Sequence, residues 1–109
     1  MNILFVCSKN QWRSPTGEEI YKNSKNHWVK SAGTEPGARI KITAKLIKWA
    51  DIIFVMEKKH RQRLMQKFPD DTRSTEVVAL EIEDHYKFMD SELVEIIRAS
   101  VAPYIEEGE

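Results

Sequence analysis

The sequence predicts an α/β fold, a three-layer αβα sandwich in which a parallel sheet of about four strands is covered by helices on both faces. Two short runs, Ile3-Leu4-Phe5-Val6 and Ile52-Ile53-Phe54-Val55-Met56, are apolar throughout rather than alternating, as strands buried on both faces are. Segments with apolar residues at helical spacing lie between such runs, at lengths that suit right-handed crossovers. No repeat, linker or low-complexity stretch divides the 109 residues, so a single domain over 1–109 is expected.

The elements follow in order. The first strand is expected over residues 2–6, and the polar stretch 7–13, broken only by Trp12, reads as a loop. The first helix should open with Ser14 as cap and Pro15 at its first position, with Glu18 near the positive end of its dipole. It is expected to run to residue 26 with Ile20 and Tyr21 inward. His27-Trp28-Val29-Lys30-Ser31 forms the second strand, stopped by Ala32-Gly33, and residues 34–41, with Pro36 and Gly37, form a loop. Apolar residues at 44, 46, 47 and 50 predict a helix over 43–50, and 51–56 is the third strand. Residues 58–68 read as a helix with Leu64, Met65 and Phe68 inward, ended by Pro69-Asp70. The fourth strand is expected over 75–80, a loop over 81–90, and a last helix over 91–104 capped by Ser91, before a Glu-rich tail that should fray.

Composition narrows the function classes. Lys plus Arg equals Asp plus Glu at 17 each, so no overall charge favours nucleic acid, and the basic run Lys58-Lys59-His60-Arg61-Gln62-Arg63 reads as a solvated helix face. No apolar run approaches the roughly 20 residues of a membrane span, and the first apolar run is too short for a signal peptide. A cytoplasmic location is expected. One cysteine excludes an intrachain disulfide and a cysteine-based zinc site, and the histidines at 27, 60 and 85 lack ligand spacing, so neither metal nor cofactor is implied. Oligomeric state leaves no signal beyond Trp12, Trp28 and Trp49 as candidates for exposed contacts.

The stretch after the first strand carries the chemistry. Ligands of such sheets bind at the carboxyl ends of the strands. A strand-to-helix loop there gathers backbone N–H groups and a helix N-terminus around one point, an arrangement that binds anions, phosphate above all. This loop reads Cys7-Ser8-Lys9-Asn10-Gln11-Trp12-Arg13-Ser14: the only cysteine, five residues, an arginine and a hydroxyl. Inward amides and a helix N-terminus favour the thiolate, the nucleophilic form of Cys7. Arg13 offers a planar fork to two phosphate oxygens. Ser14 can donate its hydroxyl to the sulfur and ease its departure, and Asn10 tolerates the left-handed backbone of a tight loop. The bland alternative is an ordinary loop around a small buried thiol; the position between a buried strand and a capped helix weighs against it.

On these residues the chain resembles the low-molecular-weight protein tyrosine phosphatase family, which opens with a buried strand running into Val-Cys-x-x-Asn-x-x-Arg-Ser-Pro. Val6-Cys7, Asn10 and Arg13-Ser14-Pro15 match it. Ser31-Ala32-Gly33-Thr34 is similar to the family's Ser-Ala-Gly-Thr segment, and Ala50-Asp51-Ile52-Ile53-Phe54-Val55-Met56 to its third strand. The resemblance implies a sheet of order 2-1-3-4 and hydrolysis of a phosphorylated protein or small aryl phosphate through a phosphocysteine at Cys7. It implies a phosphate-binding loop of Ser8, Lys9, Asn10, Gln11, Trp12 and Ser14 around Cys7 and Arg13, and a buried brace of Asn10, Ser14 and Ser31. The leaving oxygen also needs a proton. The family's acid is an aspartate in a late loop, usually followed by Pro-Tyr, and Asp84-His85-Tyr86 stands in the corresponding place. Asp84 is thereby implied as general acid and Tyr86 as a wall for an aromatic substrate.

The chain also departs from the pattern. Lys9 replaces a usual glycine, which predicts strained backbone there, and Trp12 replaces a second cysteine that protects the nucleophile in many members. His85 stands in place of proline. Gln11 occupies the position of a threonine in the related arginine-phosphate phosphatases, which argues against that substrate. The segment after Thr34 is short, so a more open cleft is expected. Two other readings remain. An arsenate reductase would need an external thiol, since Cys7 has no partner. A non-catalytic phosphate or phosphopeptide-binding module would have no need of Cys7, Arg13, Ser14 and an acid together.

Overall fold

The computed structural model describes residues 1–105, and the expected fraying of the Glu-rich tail lies outside them. β1 (Asn2–Cys7) is its central strand. It pairs in parallel with β2 (Trp28–Gly33) on one side and β3 (Ile52–Val55) on the other, and β4 (Glu76–Ala79) joins β3. The four strands stand in the order β2-β1-β3-β4, the order implied by the resemblance.

Successive side chains of a strand point to opposite faces, so β1 divides itself between two cores. Ile3, Phe5 and Cys7 join Ile52, Phe54 and Met56 under α1 (Arg13–Tyr21) and α5 (Ser91–Val101), which contribute Tyr21, Leu93, Ile97 and Val101. Leu4 and Val6 join Ile53 and Val55 under α2 (Ala44–Trp49) and α3 (Lys58–Lys67), which contribute Ile47 and Leu64. The short α4 (Pro69–Arg73) packs beside α2 and α3. This explains the uninterrupted apolar run in β1: with a helical layer on each side, neither face can be polar. β2 is different. Only Ser31, Ala32 and Gly33 are buried, the half that abuts the loop after β1, while Trp28 is exposed at the other end. Among the described residues no helix is long and apolar enough to cross a membrane.

Several expected boundaries moved. α1 starts at Arg13 with no side-chain cap, because the Ser14 hydroxyl is buried and engaged with Cys7 and Asn10 inside the fold. It stops at Tyr21 rather than residue 26, since the polar stretch that follows has nothing to bury against the sheet. Pro69 opens α4 as well as closing the preceding helix, with Asp70 and Asp71 in the first turn where the dipole favours them. Asp90, not Ser91, caps α5: its Oδ1 accepts from the amides of Glu92 at 2.9 Å and Leu93 at 3.4 Å. Met65 is half exposed, and Leu64 alone of α3's apolar residues is fully buried.

Phe5 is the centre of the core beneath α1, with ring centroids 6.1 Å from Tyr21 and 5.5 Å from Phe54. α1 can lie this close only because residue 17 is glycine. A Cβ there would stand 2.6 Å from Cγ of the Phe5 ring and 2.7 and 2.8 Å from the two Cδ atoms. Alanine is normally the better helix residue by about 1 kcal/mol, whereas forcing a methyl group into a filled core costs about 1–3 kcal/mol. The second effect should win. Gly17→Ala is expected to lower the melting temperature by several degrees, and an unchanged or raised value would show that the Phe5 ring yields.

Candidate active site

The loop after β1 starts at the carboxyl end of the central strand, where Cys7 is paired with Gly33 of β2. Its conformation is set from outside. The carbonyls of Cys7, Ser8 and Lys9 accept from the backbone N–H groups of Thr34 (2.9 Å), Glu35 (3.0 Å) and Arg39 (3.0 Å). The Asn10 carbonyl accepts from Nε of Arg39 at 3.0 Å. In a trans peptide the N–H points opposite to the C=O, so the amides of Ser8, Lys9, Asn10 and Gln11 turn away from the 34–39 segment. The Asn10 amide does so onto Sγ of Cys7, at 3.3 Å. Only glycine permits this approach at position 33, where a Cβ would meet the Ser8 carbonyl oxygen at 2.6 Å. Asn10 adopts the left-handed conformation (φ 56°). Lys9 does not, so the strain expected there is absent; the turn is made one residue later, by a side chain that tolerates it.

Below the loop the expected brace residues are joined. Nδ2 of Asn10 donates to Oγ of Ser14 at 2.8 Å and to Oγ of Ser31 at 2.9 Å. Ser31 in turn donates to Oε1 of Glu18 at 2.5 Å, which extends the network to a residue expected only to offset the helix dipole. Oγ of Ser14 lies 3.0 Å from Cys7 Sγ and 3.3 Å from the Ala32 carbonyl. It has one hydrogen to give. A thiolate can only accept, so the hydroxyl then points to sulfur; a thiol can donate to Ser14 and release that hydrogen to Ala32.

Arg13, in the first turn of α1, is buried and held before any ligand arrives. Its Nη1 donates to Oε2 of Glu57 at 2.5 Å and to the Ile82 carbonyl at 2.8 Å, and its Nε lies 3.5 Å from Oδ1 of Asp84. Burial raises the pKa of the Glu57 carboxyl, but the hydrogen bond and charge of Arg13, with Lys59 and His60 behind them, outweigh it and hold the group below the ordinary carboxylate range. Asp84 is largely exposed, on a loop anchored at both ends. Ile82 N–H donates to the Met56 carbonyl at 2.7 Å, and Met89 N–H to Oγ1 of Thr16 at 2.9 Å.

These residues border one cleft of about 220 Å³, lined by Cys7, Ser8, Lys9, Gln11, Trp12 and Arg13 of the loop and by Glu35, Lys59 and Asp84. Tyr86 does not line it. It is only partly buried and packs against the core under α1 and α5. The aromatic surface at the cleft is that of Trp12, about half exposed. His85 pairs with Glu83 at 2.6 Å in solvent. Sequence reasoning missed Glu57 and misread His60. Glu57 follows Met56 at the carboxyl end of a buried strand, a position that could have marked it. His60 belongs to the basic run that reads as a solvated face, yet it is fully buried, with Nε2 2.8 Å from Oγ of Ser8 and Nδ1 accepting from the Glu57 amide at 3.0 Å.

No protein-family model matches this chain, and comparison with curated proteins returns no match. Solved structures do match. The tyrosine phosphatase Wzb from Escherichia coli K30, in complex with phosphate, superimposes with a TM-score of 0.74 at 21% identity, covering 94% of each chain. Vibrio vulnificus Wzb with benzylphosphonate gives 0.73 at 23% identity, covering 94% of this chain and 95% of the other. The YwlE arginine phosphatase from Geobacillus stearothermophilus gives 0.68 at 18% identity, covering 98% and 99%. The fold is that of the low-molecular-weight protein tyrosine phosphatases.

Burial, and next to it the charge of Arg13, lower the pKa of His60 to about 4 from the ordinary 6.5. Above pH 6.5 the ring is neutral whether the chain is folded or not. As the pH falls toward 4 the unfolded chain binds the proton first, so the folded state loses stability. Between pH 6.5 and 4.5 the unfolding free energy should fall by about 2 kcal/mol on this account. Denaturant titrations of His60→Asn should show a flatter dependence over that window; equal slopes would show that the ring is not held neutral.

Proposed function

We propose that this protein is a cysteine-dependent phosphatase that hydrolyses aryl phosphate monoesters, phosphotyrosine above all, through a phosphocysteine. One observation carries the reading: the Cys7 sulfur, the inward-turned amides, the preset fork of Arg13 and the carboxyl of Asp84 border the same cleft. A nucleophile, donors for a tetrahedral anion and a proton source then lie within one substrate's reach.

The steps follow from the chemistry. The Cys7 thiolate attacks phosphorus; the S–P bond forms as the P–O bond to the phenol breaks, and Asp84 gives its proton to the departing oxygen. Arg13 and the loop amides hold the three equatorial oxygens, whose charge is spread in the transition state. A water molecule then attacks the phosphocysteine, Asp84 takes its proton, and the sulfur leaves as a thiolate stabilised by Ser14 and the Asn10 amide. Trp12 supports an aromatic leaving group, since it offers the cleft a flat apolar face. Structures of this fold include a tyrosine phosphatase with phosphate and an arginine phosphatase, so phosphoarginine belongs in the assay as a competitor.

The reading is tested by turnover of phosphotyrosine peptides beside a small aryl phosphate and phosphoarginine. Cys7→Ser is expected to abolish turnover while vanadate still binds, and near-normal activity in that variant would sink the mechanism. Asp84→Asn should cost roughly 10²–10⁴ in rate on phosphotyrosine, whose phenolate is a poor leaving group. The loss should shrink strongly for a phenol acidified by electron-withdrawing groups, which departs without a proton. Equal losses on both substrates would instead assign Asp84 a positioning role toward Arg13.

A further inference from the structure

His60 is fully buried in the first turn of α3, and none of the steps above uses it. Both ring nitrogens are engaged. The Glu57 backbone amide donates to Nδ1 at 3.0 Å, and Nε2 lies 2.8 Å from Oγ of Ser8. An amide nitrogen can only donate, so Nδ1 carries no hydrogen. A neutral imidazole must then carry its single hydrogen on Nε2. A protonated ring would set N–H against N–H at Glu57, and the low pKa of about 4 agrees with the neutral form.

The tautomer decides the direction of the next bond. Nε2–H donates and Oγ of Ser8 accepts, which leaves the hydroxyl hydrogen of Ser8 uncommitted. Among the described residues no acceptor is bonded to it, and Ser8 lines the cleft next to Cys7. We propose that His60 is a positioning residue which, through its fixed tautomer, aims the Ser8 hydroxyl into the cleft as a side-chain donor to the bound phosphoryl group. The inference rests on the phosphatase reading and deepens it: the anion site has a fixed hydroxyl donor besides its amides and Arg13. Glu57 serves both ends of the loop. Its carboxylate holds Arg13, and its amide sets the tautomer that orients Ser8.

The test measures dissociation constants of inorganic phosphate for the wild type, Ser8→Ala, His60→Asn and the double variant, with turnover of an aryl phosphate alongside. A hydrogen bond to a charged group is strong enough that Ser8→Ala should weaken phosphate binding roughly tenfold or more. Asparagine at 60 can still accept from the Glu57 amide but does not reach Ser8. His60→Asn should therefore weaken binding several-fold when Ser8 is present and have no further effect when it is alanine. His60→Gln, whose amide N–H extends toward Nε2's position, should recover most of the loss. Nitrogen chemical shifts of wild-type His60 should report the Nε2–H tautomer at neutral pH, a measurement that no folding defect can confound. Wild-type affinity in Ser8→Ala, equal losses from His60→Asn in both backgrounds, or the Nδ1–H tautomer would each overturn the inference while leaving the phosphatase reading intact. A wild type that neither binds phosphate nor turns over the ester would overturn both.

Discussion

The site depends on the direction in which four carbonyl groups point. A loop can cradle an anion only if its amides face inward, and amides face inward only if the carbonyls attached to them are satisfied elsewhere. Here the 34–39 segment supplies that satisfaction, through the backbone N–H groups of Thr34, Glu35 and Arg39 and the side chain of Arg39. A net backbone hydrogen bond stabilises by only about 1 kcal/mol, but leaving a buried group unpaired costs about 1–3 kcal/mol, so the inward arrangement is enforced more by the alternative than by the bonds themselves. Gly33 sets the distance at which the two segments meet, and Asn10 makes the turn that closes the cradle.

Charge is organised on the same principle. A guanidinium buried as deeply as that of Arg13 is tolerated only with a partner, and Glu57 supplies it. Replacing such a pair by apolar residues is often neutral for stability, whereas removing one member is expensive. Its value here is geometric: with the Ile82 carbonyl it holds the fork at the cleft. Glu57 and His60, three residues apart where β3 passes into α3, reach the two ends of the loop, Arg13 and Ser8 respectively.

The loop that carries Asp84 follows a different logic. Asp84 is exposed to solvent, yet its Oδ1 stays 3.5 Å from Nε of Arg13. The loop is anchored at Ile82 and Met89, and between them Asp84 stays exposed while Tyr86 packs, partly buried, against the core. Glu81 and Met89, near its two ends, both take left-handed backbone (φ 59° and 60°), the local distortion that lets a short connection leave and rejoin the fold.

What the sequence determined by itself rests on local physical causes, although the caps of α1 and α5 and the end of α1 show that not every local feature was legible. Apolar runs without alternation mark strands covered on both faces, and Cys7, Asn10, Arg13 and Ser14, set between a buried strand and a helix start, are the basis on which an anion-binding loop is proposed. The order of the strands came from resemblance rather than periodicity. Tertiary structure alone decided which residues of distant segments meet. The basic run at 58–63 is locally indistinguishable from a solvated face, yet the fold sinks His60 against Ser8, 52 positions away. The place of Glu57 just past a buried strand is legible, but its partner Arg13, 44 positions away, is not, because the carboxylate acquires that role only when the fold sets a buried guanidinium beside it. Tyr86 and Trp12 make the same point. Both are aromatic in loops near the site, and only the path of the chain packs one ring, partly buried, against the core and leaves the other at the cleft.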